Sequence, residues 1–132
     1  MNSSICTLFE GHYHYGVAAL SNSLYKNGFR GTIYAGYRGE LPPWALKSVK
    51  VNIDKWDDAI IFNPLEGLKL VFLKLNTNYS LTNYKPDFMI ELLEGPAKNS
   101  EGLFYFDSDI LINKNWIILN NGLIVELLYV KM

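Results

Sequence analysis

Asp107-Ser108-Asp109 is the stretch whose residue types point most directly to chemistry. In extended chain, residues i and i+2 face the same side, so the two carboxylates can share one hard divalent cation, which prefers oxygen ligands. Such a cation would also neutralise a diphosphate. The apolar run Leu103-Phe104-Tyr105-Phe106 leads into the pair. If this run is a central strand, the carboxylates stand at the carboxyl edge of a sheet and face a common cleft; open α/β sheets bind ligands at that edge. Asp is also common in solvated turns at strand ends, so the pair alone does not separate a metal site from a turn.

Gly11-His12-Tyr13-His14-Tyr15-Gly16 is the second such segment, lying between an apolar run and a helical pattern. A nucleotide can rest there on backbone N–H groups and a helix N-terminus. Tyr13 or Tyr15 can stack on a base. The segment is neither G-x-G-x-x-G nor a P-loop. His12 and His14 have no third ligand near them in sequence and read better as loop histidines than as a metal site. Lys85, at the start of a helix, reads either as a contact for an anionic donor or as a solvent-facing lysine. Cys6 reads as a small buried hydrophobe. As the single cysteine, it excludes an internal disulfide framework and a Cys-rich zinc site. No nucleophile elbow and no Ser/His/Asp order is present.

The elements that must position these residues follow from spacing. Ile5 to Phe9 has strand length, and Val17 to Lys26 places Val17, Leu20 and Leu24 at helical spacing. Gly28 suits the left-handed position that closes a helix. Gly31 to Tyr37 reads as a second strand, and a right-handed parallel crossover is the default geometry for such a unit. Further along, Val49 to Ile53 and Leu70 to Leu75 read as strands and Asn63 to Gly67 as a loop. Tyr84 to Glu94 reads as a helix with Pro86 near its first turn. Asn120-Asn121-Gly122 between two apolar runs predicts a β-hairpin tail. The fold class is α/β, with a mainly parallel sheet and flanking helices.

Composition narrows the function classes. A chain of 132 residues, 49% hydrophobic and 19% charged, suggests one domain with a sizeable core. Twelve Lys+Arg against thirteen Asp+Glu give a formal net charge of -1, which argues against a dedicated nucleic-acid binder. The N-terminus lacks the basic n-region of a signal peptide. The most apolar stretch, Gly122 to Val130, is too short to span a bilayer and contains Glu126. The expectation is a cytoplasmic product with no membrane span.

The run Leu8 to Tyr37, with Asn83 to Met89 and Leu103 to Ile110, resembles the N-terminal half of a GT-A-fold glycosyltransferase. Within that nucleotide-diphospho-sugar transferase superfamily, it is similar to the glycogenin and galactosyltransferase group. The resemblance covers roughly Ile5 to Trp116. It implies metal-dependent transfer of a sugar from a nucleotide-diphosphate sugar to an unknown acceptor. It also implies Mn2+ or Mg2+ held by Asp107 and Asp109, with Asp107 reaching the nucleotide-sugar as well. By the same resemblance, Phe9, Gly11, Tyr13, Tyr15 and Gly16 belong to the base- and ribose-contacting loop, and Lys85 matches a donor-contacting lysine. Such domains continue well beyond D-x-D, whereas this sequence ends at Met132. The alternative is a truncated, non-catalytic fragment with weak or no nucleotide binding. An unrelated α/β interaction module would show no response to metal or nucleotide.

The resemblance divides the chain into residues 1–116, the nucleotide-sugar-binding half, and residues 117–132, a tail unlike the family. The tail has a back-translation, its third codon bases chosen to fit, that can be preceded by one A. In the other frame it then reads Asn-Tyr-Phe-Glu-Gln-Trp-Ile-Asp-Cys-Gly-Val-Ala-Leu-Cys-Glu-Asp, a peptide like those found after this tryptophan in the family. The expectation is a one-base frameshift. Sequencing the locus should show that restoring one base near the Trp116 codon opens a longer glycosyltransferase frame. A closed frame there would refute the frameshift.

Overall fold

The computed structural model describes residues 3–45, 48–112 and 115–116. The expected hairpin and domain boundary at 117–132 lie outside them. The order is β1 (Ser3–Glu10), one 3₁₀ turn (Gly11–Tyr13), α1 (His14–Lys26), β2 (Gly31–Arg38), β3 (Val49–Ile53), β4 (Trp56–Leu65), β5 (Leu68–Lys74), α2 (Leu81–Glu94) and β6 (Gly102–Tyr105). The six strands form one sheet in the order β3-β4-β5-β2-β1-β6. β5, β2, β1 and β6 run parallel to one another, while β4 pairs antiparallel with both β5 and β3.

The α/β class expected from the sequence is present, and the sheet is mixed: three of its five strand pairings are parallel and two are antiparallel. The reason lies in two tight connections. Ile53 pairs with Trp56, and Leu65 pairs with Leu68. Two-residue links of this kind can only return the chain antiparallel. Asp54, with φ of 50°, and Gly67, with φ of 81°, supply the left-handed backbone these turns use. The segment expected as a loop from Asn63 to Gly67 thus shrinks to Glu66-Gly67. Pro64 lies inside β4 at a register shift between Phe62 and Leu65, where a missing N–H breaks no regular pairing.

Alternation along β1 builds two cores. Ile5 and Phe9 join Val17, Leu20 and Leu24 of α1 on one face. Cys6 and Leu8 join Tyr84, Phe88 and Leu92 of α2 on the other. Seven of the eight β1 residues are buried, as expected for a parallel strand covered on both sides. The helices lie on opposite faces, as two crossovers of one hand must when they move in opposite directions along a sheet. Burying Phe88 completely stabilises the α2 layer by about 1.5–3 kcal/mol.

Helix ends follow local chemistry. α1 closes in a Schellman arrangement: Phe29 N–H donates to Leu24 C=O at 2.9 Å, and Gly28 N–H donates to Tyr25 C=O at 3.1 Å. Gly28 carries the φ of 99° this requires. α1 starts at His14 rather than Val17, because the 3₁₀ turn feeds straight into it. α2 starts at Leu81, ahead of Tyr84, because the Ser80 hydroxyl caps it by accepting from Asn83 N–H at 3.3 Å. Pro86 therefore lies past the first turn, and Thr82 C=O loses its usual donor there.

The strand before Asp107 is not central. Among the described residues β6 is the outermost strand and pairs only with β1. Beyond it the chain turns at Asp107–Ile110, with Ile110 N–H donating to Asp107 C=O at 3.2 Å. Gly16 packs on this turn, and a Cβ there would collide with the Ser108 carbonyl oxygen. Gly16→Ala should therefore lower stability by about 1–3 kcal/mol in urea unfolding, the usual cost of overpacking. An unchanged midpoint would show that α1 does not hold the turn.

Candidate functional site

The chain runs from β1 through α1 to β2 on one side, then returns from β5 through α2 to β6 on the other side of β1. β1 and β6 thus flank a point where the strand order reverses. Connections leave it in opposite directions, so a crevice opens beyond the strand ends. A cleft of about 420 Å³ lies there. That volume is in the range of small-molecule sites. The carboxyl ends of β1 and β6, Arg38 at the end of β2 and the first turns of α2 line it.

Each lining side chain follows from register. Tyr105 precedes Asp107 by two residues, and both point to the α2 side of the sheet. Lys85 reaches down from α2, and its Nζ lies 2.9 Å from Asp107 Oδ1. The same Nζ lies 4.9 Å from the Tyr105 ring centroid, a cation–π contact. Burial, then the Asp107 carboxylate, pushes the Tyr105 hydroxyl well above its ordinary range, against a smaller opposing pull from the Leu8 backbone. The hydroxyl therefore stays protonated at neutral pH. Being only partly exposed, the Lys85–Asp107 pair is worth about 1 kcal/mol, the upper end for surface pairs.

Glu10 and Arg38 are register partners at the ends of β1 and β2. Arg38 Nε donates to Glu10 Oε2 at 2.9 Å, and Nη2 donates to Oε1 at 3.3 Å. Arg38 Nη1 donates to the carbonyls of Thr77 at 3.3 Å and Tyr79 at 2.6 Å. Arg38 thereby ties the segment before α2 to the sheet and fixes where the helix begins. In that first turn, the N–H groups of Leu81 and Thr82 have no acceptor within the helix.

The structure brings Asp107, Asp109, Lys85, Tyr13 and Phe9 to one cleft. Asp107 and Asp109 meet it from a turn rather than from extended chain. The Phe9 ring is itself core, stacked on Tyr37 at 5.9 Å between centroids. Tyr13 is 65% exposed at the rim. Gly11, Tyr15 and Gly16 do not line the cleft. Gly11 supplies a φ of 60° to the 3₁₀ turn, the Tyr15 ring lies 4.1 Å from that of His14, and Gly16 supports the Asp107 turn. His14 Nδ1 accepts from Trp44 Nε1–H at 3.0 Å, which gives that histidine a structural bond.

Sequence reasoning missed Arg38, Ser80 and Thr82. For Arg38 a signal existed, because two parallel strands each ending in a charged residue of opposite sign put those residues side by side. The α2 residues carried no comparable mark.

Two carboxylates at the cleft suit a cation bound jointly by protein and substrate phosphate, the usual Mg2+ arrangement. No group of three or more His, Cys, Asp or Glu able to hold a metal occurs among the described residues. The donor set thus fits a shared cation and not a closed protein cage. No helix among the described residues is long and apolar enough to cross a membrane. No family model, curated protein or solved structure matches the chain.

Proposed function

We propose that the cleft binds a nucleotide-diphosphate sugar together with Mn2+ or Mg2+. In this reading the chain supplies the donor-binding part of a glycosyltransferase-like sugar transfer to an acceptor. The observation that carries it is the meeting of Asp107, Asp109 and Lys85 in one crevice where the strand order reverses. Charge supports a cation in particular. Around the cleft, Arg38 and Lys85 face Glu10, Asp107 and Asp109. A diphosphate entering alone would add negative charge to a site already short of positive charge.

The residues divide the work by chemistry. Asp107 and Asp109 hold the cation, which when bound offsets charge on the departing diphosphate. Lys85 and the first-turn N–H groups of α2 meet phosphate oxygens. Tyr13 offers a ring face to the base. A second reading, donor binding without transfer, is favoured by the pairing of the carboxylates. Glu10 is held by Arg38 and Asp107 by Lys85, so neither stands ready as a general base.

Calorimetry with uridine and guanosine diphosphates tests the reading. Weak binding is expected with Mn2+ or Mg2+ and none with the metal chelated. Asp107→Asn should weaken it at least about tenfold, equivalent to about 1.4 kcal/mol. Tight metal-independent binding, or no binding under any condition, would sink the proposal. Release of free sugar from a nucleotide-sugar, or its transfer to a test acceptor, would favour catalysis over binding alone.

A further inference from the structure

Asp107 already has a cation on it. Lys85 Nζ lies 2.9 Å from its Oδ1, with the two side chains 33% and 24% exposed. This ammonium occupies one of the carboxylates on which a divalent cation would depend. The arrangement is built rather than incidental. The Ser80 cap and the bonds from Arg38 to the Thr77 and Tyr79 carbonyls set the start of α2, and that start places Lys85 on the second turn. The Tyr105 ring beneath Nζ gives the ammonium a second favourable contact. A lysine is a point charge on a flexible four-carbon stem, so it can leave Asp107 without any movement of the helix.

We propose that Lys85 is a tethered counter-ion, holding Asp107 until a divalent cation and a diphosphate enter together. This rests on the reading of the cleft as a nucleoside-diphosphate site. For a cation alone, Asp107 becomes available only when Lys85 gives up its partner and moves to water. For a diphosphate alone, Lys85 is already committed and Asp109 and Glu10 repel. When both are present, Asp107 and Asp109 turn to the cation and the released ammonium turns to a phosphate oxygen. Asp107, Asp109 and Lys85 then each face a partner of opposite sign. Each ligand therefore raises the affinity of the other, and by the same factor.

The test measures Mn2+ affinity of the whole chain by electron paramagnetic resonance, first with Mn2+ alone and then with uridine or guanosine diphosphate. Lys85→Met, which keeps the stem and removes the charge, should bind Mn2+ alone roughly fivefold more tightly than the unaltered chain, the effect of freeing one carboxylate from its ion pair. It should also bind the diphosphate less tightly in the presence of Mn2+, so the mutual enhancement shrinks. Lys85→Arg should keep most of the enhancement. Lys85→Gln provides a second neutral variant, and circular dichroism checks that all three variants fold. Unchanged or weaker Mn2+ binding in both neutral variants would overturn the proposal. Failure of the nucleotide reading looks different: no diphosphate binds to any form, while the gain in Mn2+ affinity persists.

Discussion

The site depends on one topological constraint, the return of β6 to the side of β1 opposite β2. Parallel strands joined by crossovers in opposite directions leave a gap beyond their carboxyl ends that no connection covers. The ends of β1 and β6 both open into it, so the segments leaving them face the same space. β1 leads through Glu10 into the 3₁₀ turn with Tyr13, and β6 leads into Asp107-Ser108-Asp109. The close contact between Gly16 and the Ser108 carbonyl then holds the two segments together. The antiparallel meander at the far end of the sheet takes no part in this and serves to cover the other edge of β5.

Charge in the cleft is arranged in pairs supplied by different layers. Arg38 closes on Glu10 within the sheet, and its remaining donors reach the carbonyls that lead into α2. Lys85 closes on Asp107 from the helix. Both pairs are partly exposed, so each is weak on its own and exchangeable. Asp109 is exposed and makes no ion pair among the described residues. A cleft built this way holds its charges in place without burying any of them, which suits a site whose ligand brings its own counter-ion.

Much of this was legible in the sequence where one local rule acts alone. Gly28 closes α1 because only a residue free to take positive φ fits there, and length and spacing alone marked the first strand, helix and second strand. Asp107, Asp109 and Lys85 each had a bland reading in the sequence, as a solvated turn and a solvent-facing lysine, and what the structure adds is that they line one cleft. Reasoning failed where tertiary contacts decide. Pro64 looked like a loop marker, yet a register shift in β4 absorbs it. Pro86 looked like a first-turn proline, yet the Ser80 cap moves the helix start back. The edge position of β6 could not be read at all, because strand order depends on which side of β1 the chain returns to. Tyr15 looked equivalent to Tyr13, but the helix begins between them and turns its ring against His14 instead.

The central claim is that the crevice between β1 and β6 is where a divalent cation and a nucleoside diphosphate meet. Paramagnetic broadening by Mn2+ tests it most directly. With Mn2+ and uridine or guanosine diphosphate added to the isotope-labelled chain, amide signals of Asp107, Ser108 and Asp109 should broaden first. Those of Glu10 to Tyr13 and the first turn of α2 should broaden next, while β3 and the turn at Asp54 stay sharp. Broadening centred anywhere else, or spread evenly over the surface carboxylates, would contradict the account.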